Sequence, residues 1–212
     1  FIQQARHIEV QVFGDGHGRA LTLGERDCSS QRRNQKVLEE TPAPGLSDEV
    51  RDQLQQTAQR LVEAIDYRNA GTVEFVYDQQ DSKFYFLEVN TRLQVEHGVT
   101  EQVYGIDLVE WMIRLAAEDL PSLQQLGKAL TPQGHSIQAR VYAEDPNKDF
   151  QPAAGLITMV EMPEADYLRI ETWIESGIEV SPFYDPMLAK VIVTAEDRQQ
   201  ALSLLDKSLA EI

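Results

Sequence analysis

The sequence predicts an α+β protein: antiparallel strands with flanking helices, followed by a strand-rich second half. Three observations predict it. Residues 7–13 alternate apolar and polar and return through Asp15-Gly16-His17-Gly18, the pattern of a hairpin with one buried face. Val50, Leu54, Ala58, Leu61 and Ile65 recur at helical spacing. Beyond a loop-rich stretch at 119–135, alternation resumes at Ser136–Ala143 and short strand patterns follow.

Taken in order, the first strand puts Ile8, Val10 and Val12 on one face and His7, Glu9 and Gln11 on the other, so it reads as half-buried. Ala20–Gly24 returns as the second strand. Glu25 to Lys36 reads as a basic, amide-rich loop, the most cationic run in the chain; it is either a solvated surface loop or an anion site. Val37–Glu40 is a further strand, broken by Thr41-Pro42-Ala43-Pro44-Gly45. Ser47 is placed to cap a helix reaching about Asp66, with Asp48 and Glu49 in the first turn, where the helix dipole favours anions. In the strand Thr72–Tyr77, Val73, Phe75 and Tyr77 share a face and Glu74 points the other way. A polar loop leads to the strand Phe84–Val89. His97–Gly105 is a connection with a short helical stretch. Asp107 and Glu110 then open a helix whose buried stripe is Leu108, Trp111, Met112, Leu115 and Ala116. Pro121, Gly127, Pro132 and Gly134 mark 119–135 as a linker between units 1–118 and 136–212. In the second unit Ile137, Ala139 and Val141 face inward, opposite Gln138, Arg140 and Tyr142. Strands follow at Gly155–Met162, Tyr167–Trp173, Glu179-Val180 and Met187–Thr194, then a helix over Asp197–Ile212 through Ala201, Leu204, Leu205 and Leu209. On spacing alone Arg140 is a solvated edge residue or a salt-bridge partner.

Composition narrows the function. A net charge of −16 argues against DNA, RNA or an anionic membrane as the main partner. Cys28 stands alone, so no internal disulfide is expected, a reducing, cytoplasmic compartment is the simplest reading, and the thiol should be a small buried hydrophobe. No apolar run is long enough to span a bilayer, and no signal-peptide pattern appears. A chain that opens on Phe-Ile-Gln-Gln and closes inside a helical pattern is expected to be a fragment of something longer.

The chemistry is expected around residues 84–101. Extended-chain parity puts Glu88, Asn90, Arg92, Gln94 and Glu96 on one side, with Leu87, Val89, Thr91, Leu93 and Val95 on the other. Pairing Asp78 with Phe84 across a five-residue loop sets Glu74 opposite Glu88. Two carboxylates ~5 Å apart at an effective dielectric of ~20 repel by roughly 3 kcal/mol. Either one is protonated or a cation sits between them. Oxygen-only ligands favour a hard ion such as Mg²⁺, with Asn90 as a third oxygen, and no Cys or His cluster suggests zinc.

Three runs carry a family resemblance: Glu25-Arg26-Asp27-Cys28-Ser29 with Gln31-Arg32-Arg33-Asn34-Gln35-Lys36; Glu88-Val89-Asn90-Thr91-Arg92-Leu93-Gln94-Val95-Glu96-His97; and Ala143-Glu144-Asp145-Pro146 after Arg140. The chain resembles the biotin carboxylase component of biotin-dependent carboxylases, an ATP-grasp enzyme. The match covers the second half of the ATP-grasp domain and most of the biotin carboxylase C-terminal domain. The family's N-terminal domain, Gly-rich lid and preceding lysines would lie before Phe1. The resemblance implies that Glu74 and Glu88, assisted by Asn90, hold Mg²⁺ (or Mn²⁺) at the ATP phosphates, and that His7, Gln31 and Asn34 contact ATP. It implies that Lys36, Arg92, Gln94 and Val95 form a bicarbonate pocket, that Glu96 is the general base, and that Arg140 holds bicarbonate and the biotin ureido group. Implied partners are a biotin carboxyl carrier domain and a carboxyltransferase domain, with a homo-oligomer of the full enzyme; the fragment alone is expected to be inactive. Asn34 stands where many relatives have His, and Gly98 where acyl-CoA carboxylases usually have Pro. Gly98, Trp111-Met112 and the run Glu179 to Lys190 look most like urea carboxylase. The alternatives are the biotin carboxylase of an acyl-CoA or pyruvate carboxylase, another bicarbonate-activating ATP-grasp ligase such as carbamoyl phosphate synthetase, and a non-catalytic structural module.

Overall fold

Strand parity and cross-strand pairing build the architecture. The computed structural model describes residues 2–212. Strands β1 (Ala5–Asp15), β2 (Ala20–Arg32) and β3 (Gln35–Thr41) lead to helix α1 (Asp48–Glu63), then β4 (Arg68–Asp78) and β5 (Lys83–Asn90). Helices α2 (His97–Tyr104), α3 (Leu108–Ala116) and α4 (Leu123–Ala129) follow. The remainder is β6 (His135–Tyr142), β7 (Glu144–Asp145), β8 (Gln151–Pro152), β9 (Gly155–Leu156), β10 (Leu168–Thr172), β11 (Glu179–Val180), β12 (Met187–Ala195) and α5 (Arg198–Ala210). Eight strands form one sheet in the order β10-β12-β6-β3-β2-β1-β4-β5, and all its pairings are antiparallel. The β3–β6 ladder therefore joins the first five strands to those after residue 135. No helix among the described residues is long and apolar enough to cross a membrane.

One sheet face is apolar. Ile8, Val10, Val12, Val73, Phe75 and Tyr77 pack against Val50, Leu54, Ala58 and Val62 of α1. Ser47 caps that helix, accepting from the Val50 N–H at 3.3 Å, which satisfies one of the orphan donors of the first turn. Val62 completes the stripe where Leu61 and Ile65 were expected; Leu61 is half-buried and Ile65 exposed. A second cluster joins Phe13 and Leu23 to Leu108 and Trp111 of α3 and Leu123 of α4. The Phe13 and Trp111 rings meet edge to face at 5.4 Å. A third packs Ile137, Ala139, Val191 and Val193 against Ala201 and Leu205 of α5. Ala116 and Leu209, expected in buried stripes, are exposed.

Several sequence expectations change. Glu25 to Lys36 is no loop: it is the end of β2, a tight turn and the start of β3. Arg33 and Asn34 both take left-handed φ, 52° and 64°, the two-residue hairpin geometry that matches strand twist. Strand β1 is not half-buried. It lies between β2 and β4, and Glu9 and Gln11 are as inaccessible as Ile8. Alternation tells which side a residue takes, not whether that side is covered, and here α2 and the segment before it cover the polar side. The expected strand Gly155–Met162 shrinks to Gly155–Leu156, the only part with a partner strand. The stretch 119–135 contains α4, capped by Ser122. The β4–β5 hairpin is tighter than expected, with Asp78 opposite Lys83. A bulge then leaves Leu87 unpaired and restores Glu74 opposite Glu88.

Candidate active site

The polar sheet face is laid out in rows. Arg26 of β2, Glu9 of β1, Glu74 of β4 and Glu88 of β5 are successive cross-strand partners. Gln11, Thr72 and Asn90 form the adjacent row. Three carboxylates side by side at the strand spacing repel one another, so the row stands only with cations around it. Arg26 is fully buried beneath it. It donates to Glu9 at 2.6 Å, Gln11 at 2.7 Å, Thr100 at 2.9 Å, Thr72 at 3.3 Å and Gln94 at 3.4 Å. From the other side Lys36 Nζ donates to Glu9 at 2.5 Å, Glu96 at 2.6 Å and Glu74 at 3.1 Å. Burial pushes the Glu9 carboxyl up, but the Arg26 and Lys36 charges outweigh it and its pKa falls below the usual value. Burial likewise opposes the Lys36 charge, yet Glu9, Cys28 and Glu96 together raise its pKa.

Proton positions around Glu74 follow from acceptors that have no choice. The Cys28 carbonyl can only accept, so the Gln31 group 2.8 Å from it is the amide nitrogen. That nitrogen also faces His7 Nδ1 at 3.0 Å, which makes Nδ1 the acceptor and places the ring proton on Nε2. His7 Nε2 lies 2.8 Å from Glu74 Oε2, a close polar contact whose angle falls short of a hydrogen bond. Asn90 Nδ2 and Gln94 Nε2 donate to Glu74 Oε1 at 3.0 and 2.9 Å. Burial raises the Glu74 pKa, but the nearby His7, the Lys36 charge and the Gln94 donor outweigh it, and it falls to about 2.

Arg140 of β6 bridges Glu39 at 2.6 Å and Glu96 at 3.1 Å. Glu39 is fully buried and also accepts from Gln138 at 2.9 Å. Its burial outweighs the Arg140 charge and raises its pKa to about 7. Arg92 differs from the other cations. It is exposed, and its one side-chain hydrogen bond among the described residues goes to the Leu93 carbonyl at 3.3 Å. Lys36 and Arg140 are committed to carboxylates, whereas the Arg92 fork is free to meet an anion.

Every residue expected at the site lines a single cleft of about 380 Å³: His7, Gln31, Asn34, Lys36, Glu74, Glu88, Asn90, Arg92, Gln94, Val95, Glu96 and Arg140. Gln35, Tyr142 and Asp185 complete its wall. A larger cleft of about 700 Å³, between Arg68 and Leu123, gathers no comparable set of charged groups. The donor set fits a hard divalent cation. Glu74 and Glu88 are opposed, and the Asn90 amide nitrogen bridges them, at 3.0 Å from Glu74 and 3.3 Å from Glu88. Its N–H groups stand where positive charge is required, so the third oxygen expected from Asn90 faces away in this arrangement. Cys28 is buried and free, and burial raises its thiol pKa.

Residues 1–123 match the family described as carbamoyl-phosphate synthase L chain, ATP binding domain, and residues 138–212 match the biotin carboxylase C-terminal domain. The chain belongs to the ATP-grasp biotin carboxylases. This biotin carboxylase segment is 53% identical over 211 residues to urea amidolyase of Lachancea kluyveri, covering all of the segment and 11% of that protein. It is 54% identical over 206 residues to the mitochondrial methylcrotonoyl-CoA carboxylase subunit alpha of Mus musculus, covering 97% of the segment and 28% of that protein. Among solved structures it superimposes, with a TM-score of 0.93 and 40% identity, on the biotin carboxylase domain of Hydrogenobacter thermophilus 2-oxoglutarate carboxylase in complex with MgADP, ADP and bicarbonate; 99% of the segment and 46% of that chain are covered. The segment thus spans less than half the length of each of these proteins, and they are parts of multidomain biotin-dependent carboxylases.

Sequence reasoning missed Glu9, Arg26 and Glu39, which hold the cleft residues from behind. The signal for the first pair was present: Glu9 sits on the polar side of β1, level with Glu74, and Arg26 lies in the Glu25-Arg26-Asp27-Cys28-Ser29 run.

Proposed function

We propose that this segment supplies the catalytic floor for ATP-dependent carboxylation of a biotinyl carrier with bicarbonate, the half-reaction ATP + bicarbonate + biotin giving ADP + phosphate + carboxybiotin through carboxyphosphate. One observation carries the reading: all the residues expected to act meet in one cleft, although they come from β1, β2, the β2–β3 turn, β3, β4, β5, the segment 91–96 and β6. Glu74 and Glu88 would hold a Mg²⁺ or Mn²⁺ ion, with the Asn90 side-chain oxygen joining them only when its amide, whose nitrogen now bridges the two carboxylates, turns over; the ion would supply charge neutralisation at the nucleotide phosphates. His7, Gln31 and Asn34 contact the nucleotide. Arg92 offers an uncommitted planar fork that suits a planar bicarbonate, beside Lys36, Gln94 and Val95. Glu96 lies between Lys36 and Arg140, at the end of the cleft where a carboxylate can take a proton from bicarbonate. Arg140, held by Glu39, receives the ureido group. Phosphoryl transfer needs little covalent help beyond such positioning and neutralisation.

We assign residues 1–118 and 136–212 to two units joined by 119–135, acting with a carrier domain and a carboxyltransferase domain in the cytoplasm. The acceptor is proposed to be of the urea carboxylase type, on Gly98, Trp111-Met112 and the Glu179 to Lys190 run. In the intact carboxylase, Arg92→Ala should abolish biotin- and bicarbonate-dependent ADP release while nucleotide binding persists. Full turnover in that variant would sink the assignment.

A further inference from the structure

We infer that Lys190, on β12, is a positioning residue for the bicarbonate end of the cleft: its ammonium fixes the Val95 carbonyl and with it the peptide that leads into Glu96. This rests on the bicarbonate reading given above. Lys190 is only 8% exposed, and its Nζ donates to the Val95 oxygen at 3.1 Å across 95 residues of sequence. It is the cross-strand partner of Arg140 on one side and of Glu171 on the other, and it forms an ion pair with Glu171. A row Glu171–Lys190–Arg140 thus runs across the sheet to the edge of the cleft.

The need for this anchor follows from what Glu96 does not do. Glu96 occupies the N-cap position of α2, with no side-chain capping bond; its carboxylate is turned to Lys36 and Arg140 instead. A helix start that gives up its capping side chain leaves orphan N–H groups and a loosely held entry turn. The turn is closed from elsewhere. The His97 N–H and His97 Nδ1 both engage the Gln94 carbonyl, at 3.3 and 2.7 Å, and Lys190 takes the next carbonyl, that of Val95. The peptide from Val95 to Glu96 is planar and trans, so its N–H points opposite to the oxygen that Lys190 holds. Fixing that oxygen fixes the plane between two cleft residues. The same strands hold α2 again one turn further on, where Arg169 of β10 donates to Glu101 at 2.7 Å.

The test uses the intact carboxylase and reads the KM for bicarbonate and for Mg·ATP in biotin-dependent ADP release. Lys190→Met keeps the apolar stem and removes the donor. It should raise the bicarbonate KM about tenfold or more, the effect of losing one charge-assisted hydrogen bond, with the Mg·ATP KM within about twofold of wild type. Lys190→Arg, which keeps charge and donors, should stay within about threefold of wild type for both. A purely structural role would lower the active fraction without moving one KM. An unchanged bicarbonate KM in Lys190→Met, or an equal rise in both constants, overturns the inference. If Lys190→Met does not fold, Lys190→Gln, polar but one atom too short to reach Val95, carries the same expected and refuting results. A wild-type enzyme without bicarbonate-dependent ADP release would overturn the underlying reading instead; a wild type that has it beside an unaffected Lys190→Met removes only the role of Lys190.

Discussion

Replacing Arg26 by Met asks how much the buried charge row contributes to the sheet. Arg26 and Glu9 are both fully inaccessible, and their contact is 2.6 Å. Met keeps much of the stem and removes every donor, leaving Glu9 with Lys36 alone and the Gln11 and Thr100 oxygens without their shared partner. At an effective dielectric of ~20 the pair attracts by roughly 6 kcal/mol, before any desolvation is counted. Breaking a buried pair by removing one member costs about 3–5 kcal/mol net. With an m-value of about 2–3 kcal/mol/M this is a fall in urea midpoint of about 1–2 M at pH 7. Trp111, buried against Phe13, reports the transition by fluorescence. The loss has a pH signature. In wild type the Glu9 pKa is held below its unfolded value, so its contribution is present above the unfolded pKa of about 4.5 and fades as pH falls. In Arg26→Met burial raises that pKa, Glu9 takes up a proton on acidification, and the difference between the proteins narrows. Glu9→Gln in the same background should recover part of the loss. A midpoint shift below about 0.3 M, or strict additivity of Arg26→Met and Glu9→Gln, refutes the reasoning.

Three further outcomes are expected. Titration calorimetry of Mg·ATP into the intact carboxylase should show Glu88→Gln binding about tenfold or more weakly than wild type, and equal affinity would count against a ligand role. Glu39, whose pKa is raised from 4.5 to about 7, binds its proton more tightly folded than unfolded; its stabilisation is complete below pH 4.5 and about 3 kcal/mol of it is lost as pH rises to 7. Urea unfolding across that range should show this slope in wild type and not in Glu39→Gln. A side chain at Gly98 would meet Ile192 Cδ1 at 2.5 Å, so Gly98→Ala should cost about 1–3 kcal/mol from overpacking, less the helix gain of about 1. Adding Ile192→Val, which deletes that methyl, should reverse the sign, and a double-mutant cycle with no coupling would disprove the contact.

The one-sided polar edge at 88–96 was legible because parity in an extended chain is a local property. The opposition of Glu74 and Glu88 was legible too, but by a path that the structure alters: the assumed hairpin was one residue too long, and the bulge at Leu87 compensates. Composition could not reveal that bulge. The burial of Glu9 and Arg26 escaped for a different reason. A strand's alternation records its two sides, and only the order of strands and the helix laid over them decides whether the polar side meets water. The β2–β3 turn was read as loop because its residues are polar, whereas its conformation depends on two left-handed residues, one of them Asn34, a residue type that tolerates that region. Arg140, ambiguous from spacing, is both a salt-bridge partner and a wall of the cleft.

The ladder between β3 and β6 bears on how the protein is made. Its partners, such as Glu39 and Gln138, lie about a hundred residues apart, and β12 must then close on β6 from further down the chain. Pairings of such long range pay their loop-closure entropy before any contact rewards them. The early strands and α1 can assemble from local contacts, and Lys36, Glu74 and Glu96 belong to that portion. Arg140 and Lys190 arrive only with the last strands. During synthesis the Glu74 and Glu88 end of the cleft is therefore shaped first and the Arg140 end last, so a ribosome-bound chain ending short of residue 135 would carry the carboxylate row without the arginine and lysine that complete the cleft.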